Sequence, residues 1–415
     1  MSDVRPFRGF RPKTEYVNEI ASPPYDVLNS AEAREMAKGN ALSFLHVVKP
    51  EIDLPEGTDQ YSDIVYATGA KNLARLIDEG YLVRDDRPCY YVYQQRMGQH
   101  TQVGIVAAMS VDEYERDLIK KHEHTRKDKE DDRTRHVQEL NANAGPVFLT
   151  YKARADIDAM VETIRAGAPT YDFIADDGIG HTLWVVDDRA IIDRLQAAFA
   201  EVPAMYVADG HHRSASAARV GKLRREANPQ HTGREAYNHF LAVAFPDNQL
   251  KILDYNRVVK DLNGLSPDAF LARVKEKYEI IPCATPPPKC MRHVGMYVGK
   301  KRWWRLIAKE GSFPADDPVA SLDVQILWEN LLHPVLGIGD PRTDKRIDFV
   351  GGIRGIKELE RLVDSGAYAV AFAMFPTTID QLMAIADANM VMPPKSTWFE
   401  PKLRSGIVVR LLIDD

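Results

Sequence analysis

Residues 204–220 read AMYVADGHHRSASAARV. The apolar run Met205 to Ala208 has the composition of a buried strand. Asp209-Gly210 then turns the chain, and small residues continue into LysLeuArgArg at 222–225, which reads as a helix. The order is strand, turn, His211-His212-Arg213, helix. It puts two imidazoles and a guanidinium at a helix N-terminus, where unpaired N–H groups and the helix dipole favour an anion. Gly210 permits close backbone approach, Ser214 follows at once, and Asp209 at the strand end can hold a metal ion or take a proton. Asp-Gly is also ordinary turn chemistry. A plain turn, however, needs one or two polar groups, and here four crowd residues 209–213. The stretch predicts a phosphate site with a carboxylate beside it.

The surrounding chain sets the class. Its 415 residues suffice for about two or three domain-sized units. Hydrophobic content of 45% and charged content of 27% are those of an ordinary soluble globular protein. A net charge of −6 gives no broad nucleic-acid footprint. Cys89, Cys283 and Cys290 form neither a disulfide framework nor a zinc-ligand spacing. The N-terminus lacks the apolar core of a signal peptide, and no apolar run reaches membrane-spanning length. The expectation is a cytoplasmic protein with no membrane partner.

Upstream, AlaSerProProTyrAspVal at 21–27 is stiffened by two prolines. It presents Tyr25 and Asp26 either as the wall of a site or as an entry turn with Asp26 capping a later helix. Helices are expected at 30–38 and 59–79, a strand at 43–48, and a hairpin from 88–95 and 102–110. The run LysHisGluHisThrArgLysAspLysGluAspAspArgThrArg at 121–135 is open to two readings. It is a solvated charged helix face, or it is a second functional cluster in which Arg126, Lys129, Arg133 and Arg135 gather on neighbouring turns. His122, Glu123 and His124 are adjacent and cannot all point one way on a helix. That weakens a single-zinc reading, which prefers ligands at i and i+4, and leaves Glu123 as a general base or metal-binding carboxylate. Strands and helices then alternate through 147–259. ProProPro at 286–288 suggests a linker near a domain boundary. Beyond it come a hairpin at 294–307, a helix at 318–332 and a strand–helix–strand–helix run to 388. MetProProLysSerThrTrpPheGluProLys at 392–402 precedes a closing strand at 406–413.

Four of these stretches, in order, carry a resemblance: AlaSerProProTyrAspVal, HisGluHisThr with Asp132-Arg133, AspGlyHisHisArg, and MetProProLysSerThrTrpPheGluProLys. Together they resemble the bacterial and archaeal family of domain of unknown function 1015, from about residue 5 to 411. The AspGlyHisHisArg box, between strand and helix, is also similar to the phosphate-binding box of the ParB/sulfiredoxin-like superfamily. That group includes free-serine kinases, nucleotide-hydrolysing partition proteins and sulfiredoxins. The resemblance implies a nucleotide phosphate cradled by Asp209, Gly210, His211, His212 and Arg213. It also implies a carboxylate base, for which Glu123 and Asp26 are the candidates. Sulfiredoxin chemistry needs a cysteine in the box, and this box has none.

The expectation is therefore an α/β fold with a mixed sheet, a ParB/sulfiredoxin-like core over 1–275 and an additional α/β region over 276–415. The leading function is a kinase using ATP or ADP with Mg²⁺ to phosphorylate a small hydroxylated metabolite, free L-serine being the first choice. In it Asp209, Glu123 and Asp26 are catalytic candidates, with Asp209 also the metal ligand. Gly210, His211, His212, Arg213, Ser214 and Arg133 hold the nucleotide. Tyr25, His122, Thr125, Lys395 and Ser396 meet the substrate. The alternatives are a metal-dependent hydrolase using His122, Glu123, His124, His211 and His212, and a non-catalytic nucleotide-binding module. The partner is a small molecule rather than a nucleic acid, and homo-oligomer formation is left open.

Overall fold

A computed structural model describes residues 2–284 and 290–414. The run at 204–208 becomes the strand Met205–Asp209, with Met205, Tyr206, Val207 and Ala208 all buried. It lies second in a nine-stranded sheet ordered Ile119–Lys120, Met205–Asp209, Val147–Tyr151, His239–Pro246, His100–Ser110, Tyr90–Met97, Gly180–Val186, Tyr171–Ile174, with Val4–Arg5 beside His100–Ser110. Met205–Asp209 runs parallel to Ile119–Lys120, and His239–Pro246 parallel to Val147–Tyr151; the other pairs are antiparallel. The sheet is mixed and the class is α/β, as expected, and the 88–110 hairpin forms. Helices Ala155–Arg165, Arg189–Ala200 and His211–Ala227 pack Ile157, Leu195, Phe199 and Ala215 against Val207, Leu149 and Ile105 of the sheet.

A second apolar cluster gathers the helix Asp63–Asp78 with Phe44, Leu45 and Val47. Here the expected strand at 43–48 is instead a helical turn, Leu45–Val48. So short a run, interrupted by His46, has no usable period, and burial among neighbouring helices decides its form. The Pro-Pro segment leads into a short turn, Tyr25–Val27, and Asn29 with Glu32, not Asp26, caps the helix Ser30–Ala37.

At the central turn a β-bulge falls between Val207 and Asp209. Gly210 then adopts φ +95°, and the helix begins at His211 rather than at 214. Ser214 is consequently inside the first turn. It is fully buried, and its hydroxyl donates to the His211 carbonyl at 3.0 Å.

The chain divides into two compact units, Met1–Leu250 with Pro401–Asp415, and Lys251–Glu400. This differs from the expected division at 275/276. Tyr255–Val259 belongs to the second unit's sheet, ordered Tyr278–Cys283, Trp303–Ala308, His293–Tyr297, Val370–Ala373, Tyr255–Val259, Ile347–Gly351. At the other end the chain returns to the first unit, where Arg410–Leu411, the short remnant of the expected closing strand, pairs with Ala142–Asn143. The ProProPro run lies outside the described residues. Among the described residues no helix is long and apolar enough to cross a membrane.

Two features of the first unit give measurable expectations. Buried His181 accepts from Arg404 Nε at Nε2 (3.3 Å), so its proton sits on Nδ1, 2.7 Å from the Tyr93 hydroxyl oxygen. Burial, then the Arg404 charge, pushes its pKa from 6.5 down to about 3. The unfolded chain thus binds the extra proton between these values, and stability falls as pH drops below 6.5. Denaturant titrations at pH 6.5 and 5 should show His181→Asn losing about 2 kcal/mol less than wild type over that interval. For Gly210→Ala, the positive φ and a Cβ placed 3.1 Å from Arg213 Nε predict a loss of about 1–3 kcal/mol in the same assay.

Candidate functional site

The turn after Met205–Asp209 gathers groups from four separate stretches. Asp209 Oδ2 is 3.1 Å from Arg213 Nη2, and Asp209 Oδ1 is 3.3 Å from Lys402 Nζ. Burial alone would raise this carboxyl, but the charges of Lys402 and Arg213 and the Lys402 hydrogen bond outweigh it and hold it at about 2. Arg213, whose side chain is 9% exposed, also donates to the Pro146 carbonyl at 2.6 Å and lies 3.5 Å from Asp26 Oδ2. Its Nε has no hydrogen-bond partner. With Arg213 folded back over the turn, a Cβ at 210 would crowd its guanidinium, 3.1 Å from Nε.

Behind this group, the Arg133 guanidinium lies 4.1 Å from the centroid of the Tyr25 ring and pairs with Asp132 at 2.8 Å. Tyr25, Arg133, Gly145, Arg213 and Ser405 line a cavity of about 40 Å³. It has room for a small anionic group or a few waters, far short of the roughly 300 Å³ of a whole-ligand pocket.

On the other side of the turn, His122 and His211 are buried edge to face, ring centroids 4.4 Å apart. Burial drives both below the usual imidazole range, His122 to about 4. Glu123 Oε2 is 3.9 Å from His211 Nδ1, and one ligand atom from each of His122, Glu123 and His211 lies within 4.8 Å of the others. His212 is set apart from them: its Nε2 accepts the Arg126 backbone N–H at 3.1 Å. His124 is exposed.

The structure therefore brings together Tyr25, Asp26, Arg133, Asp209, Gly210, His211 and Arg213, with His122 and Glu123 adjoining. It does not bring in Ser214, which turns back on its own helix. Thr125 is engaged locally, its hydroxyl donating to Glu130 at 2.9 Å. Lys395 and Ser396 belong to the second unit, where Lys395 Nζ is 5.7 Å from the Tyr255 ring centroid and the Ser396 hydroxyl donates to Pro393 at 2.6 Å. Lys402 was not foreseen. It closes the ProProLysSerThrTrpPheGluProLys stretch, so the signal was a lysine shortly after a rigid Pro-rich segment, two residues before Arg404.

Comparison with curated proteins finds no match. Among solved structures the chain is similar to a free serine kinase in complex with AMP, at 12% identity over 71% of this chain and 86% of that one, TM-score 0.34. It is similar also to C-terminally truncated SbnI from Staphylococcus aureus, at 10% identity over 74% and 87%, TM-score 0.38. A third is a conserved hypothetical protein from Pyrococcus furiosus, at 14% identity over 74% and 95%, TM-score 0.35. Likenesses this distant carry no argument about activity. The family described as "Protein of unknown function (DUF1015)" matches residues 4–325, most of the chain, and this protein belongs to it.

Proposed function

We propose that the first unit binds the phosphates of ATP or ADP at the start of the helix His211–Ala227 and transfers a phosphoryl group to the hydroxyl of a small metabolite. Free L-serine is the first acceptor to try. The observation that carries the reading is the donor set. The first N–H groups of the helix, those of His211, His212 and Arg213, have no partner within the helix. Beside them stands the buried, unpartnered Arg213 Nε. Donors held this way around a glycine turn suit a phosphate. A cationic ligand would leave them unmatched.

In this reading Asp209 is an anchor. Held at about 2, its carboxylate is too weak a base to take a proton efficiently near neutral pH, and both its oxygens face cations. Its work is to aim Arg213 and Lys402 at the phosphate. Arg133, spread over Tyr25, lines the small cavity where the transferred group fits, and the rest of the nucleotide lies outside it. The acceptor oxygen attacks the terminal phosphorus, the bond to the bridging oxygen breaks, and the hydroxyl proton passes to Asp26 or Glu123. Mg²⁺ would supply the neutralising charge such transfers need.

Calorimetric titration of ADP and ATP with Mg²⁺ tests the reading. Wild type should bind in the micromolar range, and Arg213→Ala should weaken binding at least tenfold, the scale of a lost charge-assisted hydrogen bond. Absence of binding by well-folded wild type would remove the proposal. Binding should then be followed by a screen of serine, threonine and homoserine as acceptors.

A further inference from the structure

We infer that His122, His211 and Glu123 form a binding site for a divalent ion of the zinc class. This is separate from the Mg²⁺ of the nucleotide reading and does not depend on that reading. His122 and His211 are 2% and 5% exposed. His122 Nδ1, His122 Nε2 and His211 Nε2 are all buried without a hydrogen-bond partner. The Val207 backbone is near enough to His122 to act on it electrostatically, yet no hydrogen bond of ordinary geometry forms. A buried polar atom left unpaired costs about 1–3 kcal/mol. A metal ion can accept one lone pair from each of these two touching rings, the other nitrogen of each neutral ring being an N–H.

The donor set fits. Two imidazole nitrogens and a carboxylate oxygen suit zinc and its neighbours, while Mg²⁺ and Ca²⁺ prefer oxygen alone. Tetrahedral zinc, with bonds of about 2.0–2.1 Å, separates its donors by roughly 3.4 Å. The three groups already lie within 4.8 Å of one another, so closure by about an ångström completes the set. The Glu123 side chain, 49% exposed, is the most exposed of the three ligands. Nearby alternatives are otherwise engaged, His212 by the Arg126 N–H and Asp209 by Lys402 and Arg213. Three protein ligands leave a fourth position open to a water or a ligand atom. With Glu123 on the metal, the base of the phosphoryl-transfer reading becomes Asp26.

The test is Zn²⁺ titration of the full chain, stripped of metal with chelator and followed by calorimetry. The expected result is one ion per chain. His122→Asn, His211→Asn and Glu123→Gln should each raise the dissociation constant at least tenfold, and His124→Asn, at the exposed neighbouring histidine, should keep one ion. Circular dichroism screens the variants for folding. If the histidine variants do not fold, Glu123→Gln, at an exposed position, carries the test. Absence of a stoichiometric ion in wild type overturns the inference, as does undiminished affinity in folded Glu123→Gln, or loss of the ion in His124→Asn. Titrating ADP with Mg²⁺ into the same zinc-free protein keeps the two readings apart. Zinc without nucleotide binding removes only the kinase, and nucleotide without zinc removes only this site.

Discussion

The constraint on which the first unit depends is the carboxylate of Asp209 held between Arg213 and Lys402. Two distant parts of the sequence meet there: the turn from a strand end into the following helix, and the segment with which the chain returns after 400. Arg213 extends the knot to the Pro146 carbonyl and Asp26. Breaking a buried pair by removing one partner typically costs about 3–5 kcal/mol, because a desolvated charge is left behind. The same arrangement stabilises less than an apolar packing could, so its value lies in direction. It fixes where a guanidinium and an ammonium point while keeping the backbone donors of the helix start uncovered.

Reaching that geometry requires a glycine. At φ +95°, Gly210 lets the strand end pass into the helix within one residue, and the helix can start at His211 with Arg213 folded back across the turn. The bulge after Val207 serves the same end, shifting register in the last residues before the turn. Sequence, local backbone and site chemistry are therefore linked residue by residue over 207–213.

Much of this was legible because the relevant signals are local. An apolar run, an Asp-Gly turn and a small-residue helix follow one another in 204–220, and the hairpin at 88–110 announces itself by β-rich runs around a polar turn. What was not legible depends on distance. The helical turn Leu45–Val48 has the composition of a strand and takes its form from burial against other helices. Ser214 looked like a phosphate ligand only while the helix was expected to begin three residues late. The return of residues 401–415 to the first unit has no compositional mark, so Lys402 was passed over in favour of Lys395 and Ser396 within the same quoted stretch. Pairing between residues about two hundred positions apart, such as Lys402 with Asp209, leaves no trace in either residue's neighbourhood.

Charge balance links the two sides of the turn. The cations Arg133, Arg213 and Lys402 stand against the carboxylates Asp132, Asp26 and Asp209, and Glu123 adds one more negative charge beyond them. Before any ligand arrives these groups are already at or below neutrality. The helix dipole contributes only about half a positive charge at His211. A phosphate bearing two negative charges would meet these largely paired groups, so the backbone donors and any accompanying cation would carry its stabilisation. A divalent ion on Glu123 and the two imidazoles would be such a cation, within a few ångströms of the turn. On the proposed readings, the helix-start donors and the orphaned imidazoles would work together, an ion at the second adding positive charge beside the first.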